Sequence, residues 1–157
     1  LGLVPALRQL IENVRRRGEL TVGLKINGPE LRLTAELELT AYRVVQESLN
    51  NVVRHAEART ATVTVTFGEH VELTIRDDGR GMPPASPTRT GAHAGLGLIG
   101  LRERVSQSGG HLTVSSRPGH GTVIQVSMPT HRALPEDTLS ASVSDRPRRA
   151  KSQAPVT

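Results

Sequence analysis

Apolar and polar residues alternate along the chain with two periods, one helical and one extended. A stripe of leucine, isoleucine and valine at helical spacing predicts a helix over residues 3–17, ended by Gly18. Strict alternation predicts strands in TATVTVTF (60–67) and VELTIRD (71–77), and the short link GEH between them predicts a hairpin. The same patterns predict strands at 20–26, 111–116 and 121–129, and helices at 95–110 and 34–58, the second capped by Thr34.

The order of these elements predicts the fold class. Hairpins dominate, so we expect a mixed, mainly antiparallel sheet with the helices on one face, which is a two-layer α+β sandwich. Residues 78–94 lack periodicity and are rich in Gly, Pro, Ser and Thr, which is typical of a functional or disordered loop. From residue 130 the composition shifts to Pro, Ser, Ala and Arg, so we expect residues 130–157 to be a disordered tail.

Composition narrows the classes of function. Only Tyr42 and Phe67 are aromatic, so the base stacking used by many nucleic-acid-binding proteins is hardly available, and we expect no direct nucleic-acid partner. The absence of cysteine excludes disulfides and thiolate metal sites. No apolar run approaches the roughly 20 residues of a membrane span. We therefore expect a cytoplasmic chain without membrane contact of its own, in a parent protein that could be membrane-anchored.

The stretch VVQESLNNVVRHAEA (44–58) carries an unusual polar face. Its apolar residues fall on one side of a helical wheel, while Glu47, Asn51 and His55 step by four along the other side, with Asn50 and Arg54 beside them. A solvated face is one explanation, because an amphipathic helix needs a polar side. Solvated faces usually favour Glu, Lys and Arg, however, and Asn is a poor helix former. A functional face therefore stays open at this point.

Two glycine-rich stretches allow both a structural and a functional interpretation. GLGLIG (95–100) has the letters of a dinucleotide fingerprint, but it follows a loop instead of a strand and lacks the acidic residue about 20 positions on. Its glycines either form a flexible helix cap or leave backbone N–H groups open to a phosphate. DDGRGM (77–82) is either an ordinary turn or a backbone that approaches a ligand closely.

Taken in order, QESLNNVVRHA, IRDDGRGM, a long loop, GLGLIGLRERV and GTVIQVSMP resemble the ATP-binding domain of two-component sensor histidine kinases. The stretch GLIGLRERV is typical of the subgroup whose partner regulators carry a helix-turn-helix output domain. The resemblance covers about residues 1–129. It implies the Bergerat-type ATPase fold shared with a heat-shock chaperone, DNA gyrase and the mismatch-repair ATPases, in agreement with the α+β prediction.

The resemblance also implies how ATP and Mg²⁺ would be bound. Asn51 would give its side-chain oxygen to Mg²⁺, and Glu47 would orient a metal-bound water or act as a base. Asp77 would accept a hydrogen bond from the adenine amino group, with Thr122 nearby. Residues 83–94 would form a lid, and the glycines at 95 and 97 would offer N–H groups to the phosphates. The implied nucleotide-binding set is completed by Arg54, His55, Gly79, Gly81, Met82, Gly95, Leu96, Gly97 and Leu98.

The chain departs from the family in one respect. Such kinases phosphorylate a histidine that an acidic residue follows in a dimerisation helix, and none of the six histidines here precedes Asp or Glu. Residues 1–18 resemble the end of the second dimerisation helix and the junction that follows it, with the ATP-binding domain at 19–129. We therefore expect the catalytic part of a protein histidine kinase, without its phosphoacceptor.

The expected partners are a dimerisation domain that carries the phosphoacceptor histidine and, indirectly, a response regulator. Two alternatives stay open: an anti-sigma-factor-type serine kinase, and a nucleotide-binding interaction module without transfer activity. The resemblance implies no role for Arg102 and Arg104.

Overall fold

The computed structural model describes residues 2–18, 20–81 and 94–130, and the side chains from residue 97 onward in the last of these ranges. The helices are α1 (Leu3–Arg16), α2 (Ala35–Asn51), a π-helical turn (Val52–Ala56) and α3 (Ala94–Gln107). The strands are β1 (Thr21–Asn27), β2 (Thr60–Phe67), β3 (His70–Asp77), β4 (His111–Ser116) and β5 (Thr122–Pro129). Three predicted features lie wholly or largely outside the described residues: Met82, residues 83–93 of the expected lid at 83–94, and the expected tail beyond Thr130.

The strands form one sheet in the order β1-β2-β3-β5-β4. Only β1 and β2 run parallel, and α2 connects them; the other neighbours are antiparallel. Alternate residues such as Val63, Leu73 and Val126 are buried, while Thr62 and Gln125 between them face away from the core. The structure therefore confirms the predicted α+β class and its mainly antiparallel sheet.

Helix α1 belongs to the same core as the sheet. Its apolar stripe, including Leu3, Leu7 and Ile11, is buried and packs against α2 and β1. The helix ends at Arg16, and Gly18 follows with a φ of 73° and donates its N–H to the Arg15 carbonyl at 2.9 Å. Gly18 thus ends this helix as the sequence predicted.

Helix α2 begins as predicted but does not end as predicted. The Thr34 hydroxyl accepts a hydrogen bond from the Leu37 N–H at 3.3 Å, which confirms the cap. The α-helix stops at Asn51 and continues as a π-helical turn to Ala56, and Glu57 ends it in the left-handed region at φ 52°. The prediction of one α-helix through residue 58 is therefore wrong from residue 52 onward. Single π turns inside helices often mark functional sites.

Helix α3 packs against α2 and β4 and is closed by two glycines. Gly109 has a φ of 73°, and the Gly110 N–H donates to the Val105 carbonyl at 3.0 Å, as in a glycine-terminated helix. No helix among residues 2–18, 20–81 and 94–130 is both long and apolar enough to cross a membrane.

Candidate functional site

A cleft opens between the C-terminal end of α2, the start of α3 and the ends of β3 and β5. Its lining consists of Ser48, Asn51, Val52, His55, Ala56, Asp77, Gly81, Leu98, Thr122 and Ile124. Five of these ten residues carry polar side chains, but most of the exposed area of the lining is apolar, which is the usual character of a site for an organic ligand.

The wall formed by the end of α2 and the π turn combines polar and apolar residues. Asn51 and His55, predicted on the polar face, line the cleft beside Val52 and Ala56, which were predicted on the apolar side. The cleft therefore follows the border between the two faces of the helix. Val52 is 6% exposed. It belongs both to the hydrophobic core and to the cleft wall.

Asp77 supplies a buried carboxylate at the end of β3. The residue is only 6% exposed. Its Oδ1 accepts a hydrogen bond from the Gly79 N–H at 2.8 Å, which stabilises a charge that burial alone would disfavour. Thr122 begins β5 on the same cleft, and its hydroxyl lies 2.9 Å from that of Ser116. The predicted proximity of Asp77 and Thr122 to one pocket is thus what the structure shows.

Two glycines let backbone segments around the cleft approach one another very closely. A Cβ at Gly79 would lie 2.8 Å from both the Ala56 Cβ and the Asp77 Oδ1. A Cβ at Gly81, where φ is 70°, would lie 2.8 Å from the Arg117 carbonyl carbon. Real Cβ atoms do not approach this closely, so the DGRG segment can pack here only with glycine. Both glycines meet protein backbone or side chain in this structure.

Glu47 lies one turn before Asn51 and reaches the beginning of α3. A Cβ at Gly97 would be 2.7 Å from the Glu47 Oε1, so the glycine leaves room for this carboxylate. Because α3 begins at Ala94, Gly95 and Leu96 lie in its first turn, where backbone N–H groups lack helical partners. Glu47 does not line the cleft itself.

The structure brings together six of the predicted site residues. Asn51, His55, Asp77, Gly81, Leu98 and Thr122 all line the one cleft. Glu47, Arg54, Gly79 and Gly97 do not line it; Arg54 is exposed, and Gly79 packs against Ala56 behind the wall.

Sequence reasoning did not identify four of the cleft residues. Val52 and Ala56 were placed on the apolar side of the helix, and Ser48 and Ile124 look like ordinary core positions. Ser48 is fully buried, and its hydroxyl donates to the Val44 carbonyl at 2.6 Å. Ile124 is a buried residue of β5. For Ser48, the one available signal was a serine in the apolar stripe of the helix. For Ile124, nothing in the alternation of β5 distinguishes the residue from its neighbours in the core.

Asp78 has a structural role despite its place beside Asp77. Its carboxylate accepts hydrogen bonds from the Thr60 N–H at 2.9 Å, from the Thr60 hydroxyl at 2.8 Å and from the Arg59 N–H at 2.9 Å. These bonds, led by that from the Thr60 N–H, hold the pKa of Asp78 below its ordinary value. The two adjacent carboxylates therefore serve different ends: Asp77 faces the cleft, and Asp78 fixes the start of β2.

Comparison with known proteins identifies the family of this cleft. Residues 36–132 match the family model described as histidine kinase-, DNA gyrase B-, and HSP90-like ATPase. The chain belongs to this family. The matched segment contains every residue that lines the cleft.

Individual relatives agree. The chain is 40% identical to the signal transduction histidine-protein kinase/phosphatase UhpB of Salmonella typhimurium, over 82% of this chain and 25% of that protein. It is 37% identical to the sensor histidine kinase YxjM of Bacillus subtilis, over 79% of this chain and 29% of that one. The histidine kinase domain of the blue-light activated kinase EL346 of Erythrobacter litoralis superposes with a TM-score of 0.58 at 26% identity, covering 78% of this chain and 60% of that one.

These matches confirm the resemblance to the ATP-binding catalytic domain of sensor histidine kinases. They favour it over the anti-sigma-factor alternative, because both curated relatives are named histidine kinases. The chain spans less than a third of the length of either of them.

Proposed function

We propose that this chain binds ATP with Mg²⁺ and serves as the catalytic part of a histidine kinase. The γ-phosphoryl group would pass from ATP to an imidazole nitrogen of a histidine on a dimerisation domain, leaving ADP. The response regulator would then take part only indirectly. The observation that carries the proposal is Asp77, a buried carboxylate on the wall of a largely apolar cleft.

The cleft has the chemistry that an adenine base requires. Its apolar part, with Val52, Leu98 and Ile124, suits the faces of a flat aromatic ring. The carboxylate of Asp77 is an acceptor only, so it suits the amino group of adenine and would leave the carbonyl oxygen of guanine opposed to a negative charge. Thr122 lies on the same wall and can donate or accept a hydrogen bond.

The phosphates would lie toward the start of α3, near Asn51 and Glu47. The first N–H groups of a helix favour anions, and Gly95 and Leu96 lie in that first turn. Arg54 and His55 add cationic or hydrogen-bonding groups from the π turn, and both are exposed. We propose that Glu47 orients a water molecule or receives a proton during transfer.

The oxygen atoms present also fit Mg²⁺. In the described part of the chain, no group of three or more His, Asp or Glu side chains could hold a metal ion by itself. Mg²⁺ needs only one or two protein oxygens when phosphates and water complete its shell. Asn51 would hold it with Glu47 nearby, and when bound it would neutralise charge on the transferred phosphoryl group.

Isothermal titration with ATP, ADP and GTP tests the nucleotide site. We expect micromolar or weaker affinity for ATP, higher with Mg²⁺ than without, and weaker binding of GTP. Asp77→Asn should weaken ATP binding, because Oδ1 already accepts from the Gly79 N–H, and an amide would have to turn its NH₂ group toward either that N–H or the adenine amino group. Asp78→Asn is the matched control and should leave ATP affinity unchanged, since that side chain bonds to Arg59 and Thr60 instead. Equal affinity for ATP and GTP would contradict the role of Asp77.

Transfer is tested by adding a dimerisation domain that carries a phosphoacceptor histidine. Phosphate from labelled ATP should appear on that histidine only when this chain is present. Nucleotide binding without any transfer would instead favour the second alternative, a nucleotide-binding interaction module without transfer activity.

A further inference from the structure

Arg80, between the two glycines of DGRG, connects three segments around the cleft. Its Nε donates to the His55 carbonyl at 2.8 Å, and its Nη1 lies 3.1 Å from the Glu57 Oε1. Its backbone N–H donates to the Ala56 carbonyl at 2.8 Å, and its own carbonyl accepts from the Gly119 N–H at 2.7 Å. The π turn, the DGRG segment and the turn between β4 and β5 thus meet at one residue.

These bonds occur where a helix needs them most. The last carbonyl groups of a helix have no partner within it, and here the helix ends in a π turn followed by Glu57 in the left-handed region. Arg80 donates hydrogen bonds to two of these carbonyl groups: its side chain donates to the His55 carbonyl, and its backbone N–H donates to the Ala56 carbonyl. A cation at this end also opposes the negative end of the helix dipole.

The residues that Arg80 holds are themselves part of the cleft. His55 and Ala56 line it, and Gly79 packs directly against Ala56. A shift of the π turn would therefore move one wall of the cleft. It would also displace Gly79 and disturb the hydrogen bond that the Gly79 N–H donates to the Asp77 Oδ1.

We infer that Arg80 is a positioning residue for nucleotide binding, which holds the π turn in the form that the cleft requires. The inference rests on the proposed function and assigns to Arg80 a role that does not need contact with the nucleotide. It also explains the residue type: the guanidinium offers diverging donors that can reach a carbonyl and a carboxylate together, and the single ammonium group of lysine does not.

The exposure of Arg80 separates this role from a purely structural one. The side chain is 60% exposed and its ion-pair partner Glu57 is 76% exposed. Exposed ion pairs contribute little to stability, so Arg80→Met should change the melting temperature only slightly. If the cleft-competent form of the π turn then falls to between a tenth and a third of the population, apparent affinity weakens by about three- to tenfold.

The test compares Arg80→Met, Arg80→Lys and the parent chain by calorimetry with ATP and ADP. We expect Arg80→Met to weaken the binding of ATP and ADP by the same factor, because the wall it holds packs against Gly79, which donates to the Asp77 carboxylate at the base end that both nucleotides share. Arg80→Lys should fall between Met and the parent. Arg43→Met is the matched control: Arg43 is an exposed arginine of α2 that bonds to Gln46 outside the cleft, and its loss should leave both affinities unchanged.

Hydrogen exchange over residues 52–57 reads the positioning directly. These amides should exchange faster in Arg80→Met than in the parent and unchanged in Arg43→Met, with or without nucleotide. Unchanged affinities or unchanged exchange in Arg80→Met would overturn the inference. A loss confined to ATP would also overturn it, because Arg80 would then act at the γ-phosphate. If the parent chain bound neither nucleotide, the proposed function would fail, and the exchange rates would still decide whether Arg80 holds the π turn.

Discussion

Two glycines in the turn between β4 and β5 allow the energetic cost of close packing behind the cleft to be measured, because only one of them contacts Asp77. Gly119 and Gly121 both have a φ of 76°. A Cβ at Gly121 would lie 2.9 Å from the Asp77 carbonyl carbon and closer still to its oxygen, whereas a Cβ at Gly119 would meet nothing within 4 Å. Gly119→Ala therefore introduces backbone strain alone, and Gly121→Ala introduces the same strain together with a clash.

The expected costs follow from these two terms. A non-glycine residue in the left-handed region costs roughly 1–2 kcal/mol, which applies to both variants. Overpacking adds about 1–3 kcal/mol, and it applies to Gly121→Ala alone because the opposing atoms are backbone and cannot rotate away. We expect Gly119→Ala to lose about 1–2 kcal/mol of unfolding free energy, and Gly121→Ala about 2–5 kcal/mol, out of a typical total of roughly 5–15 kcal/mol.

Urea denaturation of both variants at 25 °C, followed by circular dichroism, measures the difference. Calorimetry with ATP then tests the connection to the site, since Gly121 presses on the residue whose carboxylate lines the cleft. Gly121→Ala should weaken ATP binding where it still folds, and Gly119→Ala should not. Equal losses of stability in the two variants would refute the reasoning, because they would show that the close contact with Asp77 is not maintained in solution.

Other variants separate the site from the scaffold. Asn51→Asp should weaken Mg–ATP binding but change unfolding free energy by no more than about 0.5 kcal/mol; Leu49→Ala, at a fully buried position, should do the reverse and cost about 2–5 kcal/mol. Equal ATP affinity in Asn51→Asp and the parent would refute the metal role. Thr34→Ala should cost about 1 kcal/mol in urea denaturation, and an unchanged midpoint would refute the cap. Because the folded pKa of Asp78 lies below its ordinary 3.8, its stabilisation is present above that pH and is lost as pH falls through the folded pKa. Asp78→Asn should therefore flatten this part of the stability profile, measured between roughly pH 5 and 2; an unaltered acid limb would contradict it.

The local pattern of apolar and polar residues was sufficient to predict the fold and part of the lining of the cleft. The strict alternation in β2 and β3 determines which residues are buried, so their pairing as a hairpin could be predicted without tertiary information. Asn51, Asp77 and Thr122 come together because each lies at the end of an element whose type the sequence predicts. Asn51 of α2 and His55 of the π turn, which the sequence placed on one polar face, both line the cleft.

The π turn could not be predicted, because its cause lies elsewhere in the chain. The α-helical period continues through VVRHA without a proline or glycine, and nothing local requires the change at Val52. The carbonyls at the end of the turn are satisfied by Arg80, which is 25 residues from His55. The two residues are brought together by β2 and β3, which lie between them in the chain. Local periodicity does not contain this contact, so a prediction from periodicity alone extends the α-helix too far.

The two ends of the proposed nucleotide site are built differently, and this should govern how each responds to mutation. Around Asp77 the walls are backbone segments pressed together through Gly79, Gly81 and Gly121. No side chain can be added there without moving a wall, so substitutions at the base end should reduce stability and binding together. Toward α3 the proposed contacts come from the side chains of Asn51 and Glu47, neither of which belongs to the buried core. Substitutions there should reduce binding and transfer while the fold persists, and we expect variants that fold but do not bind to come mainly from that end.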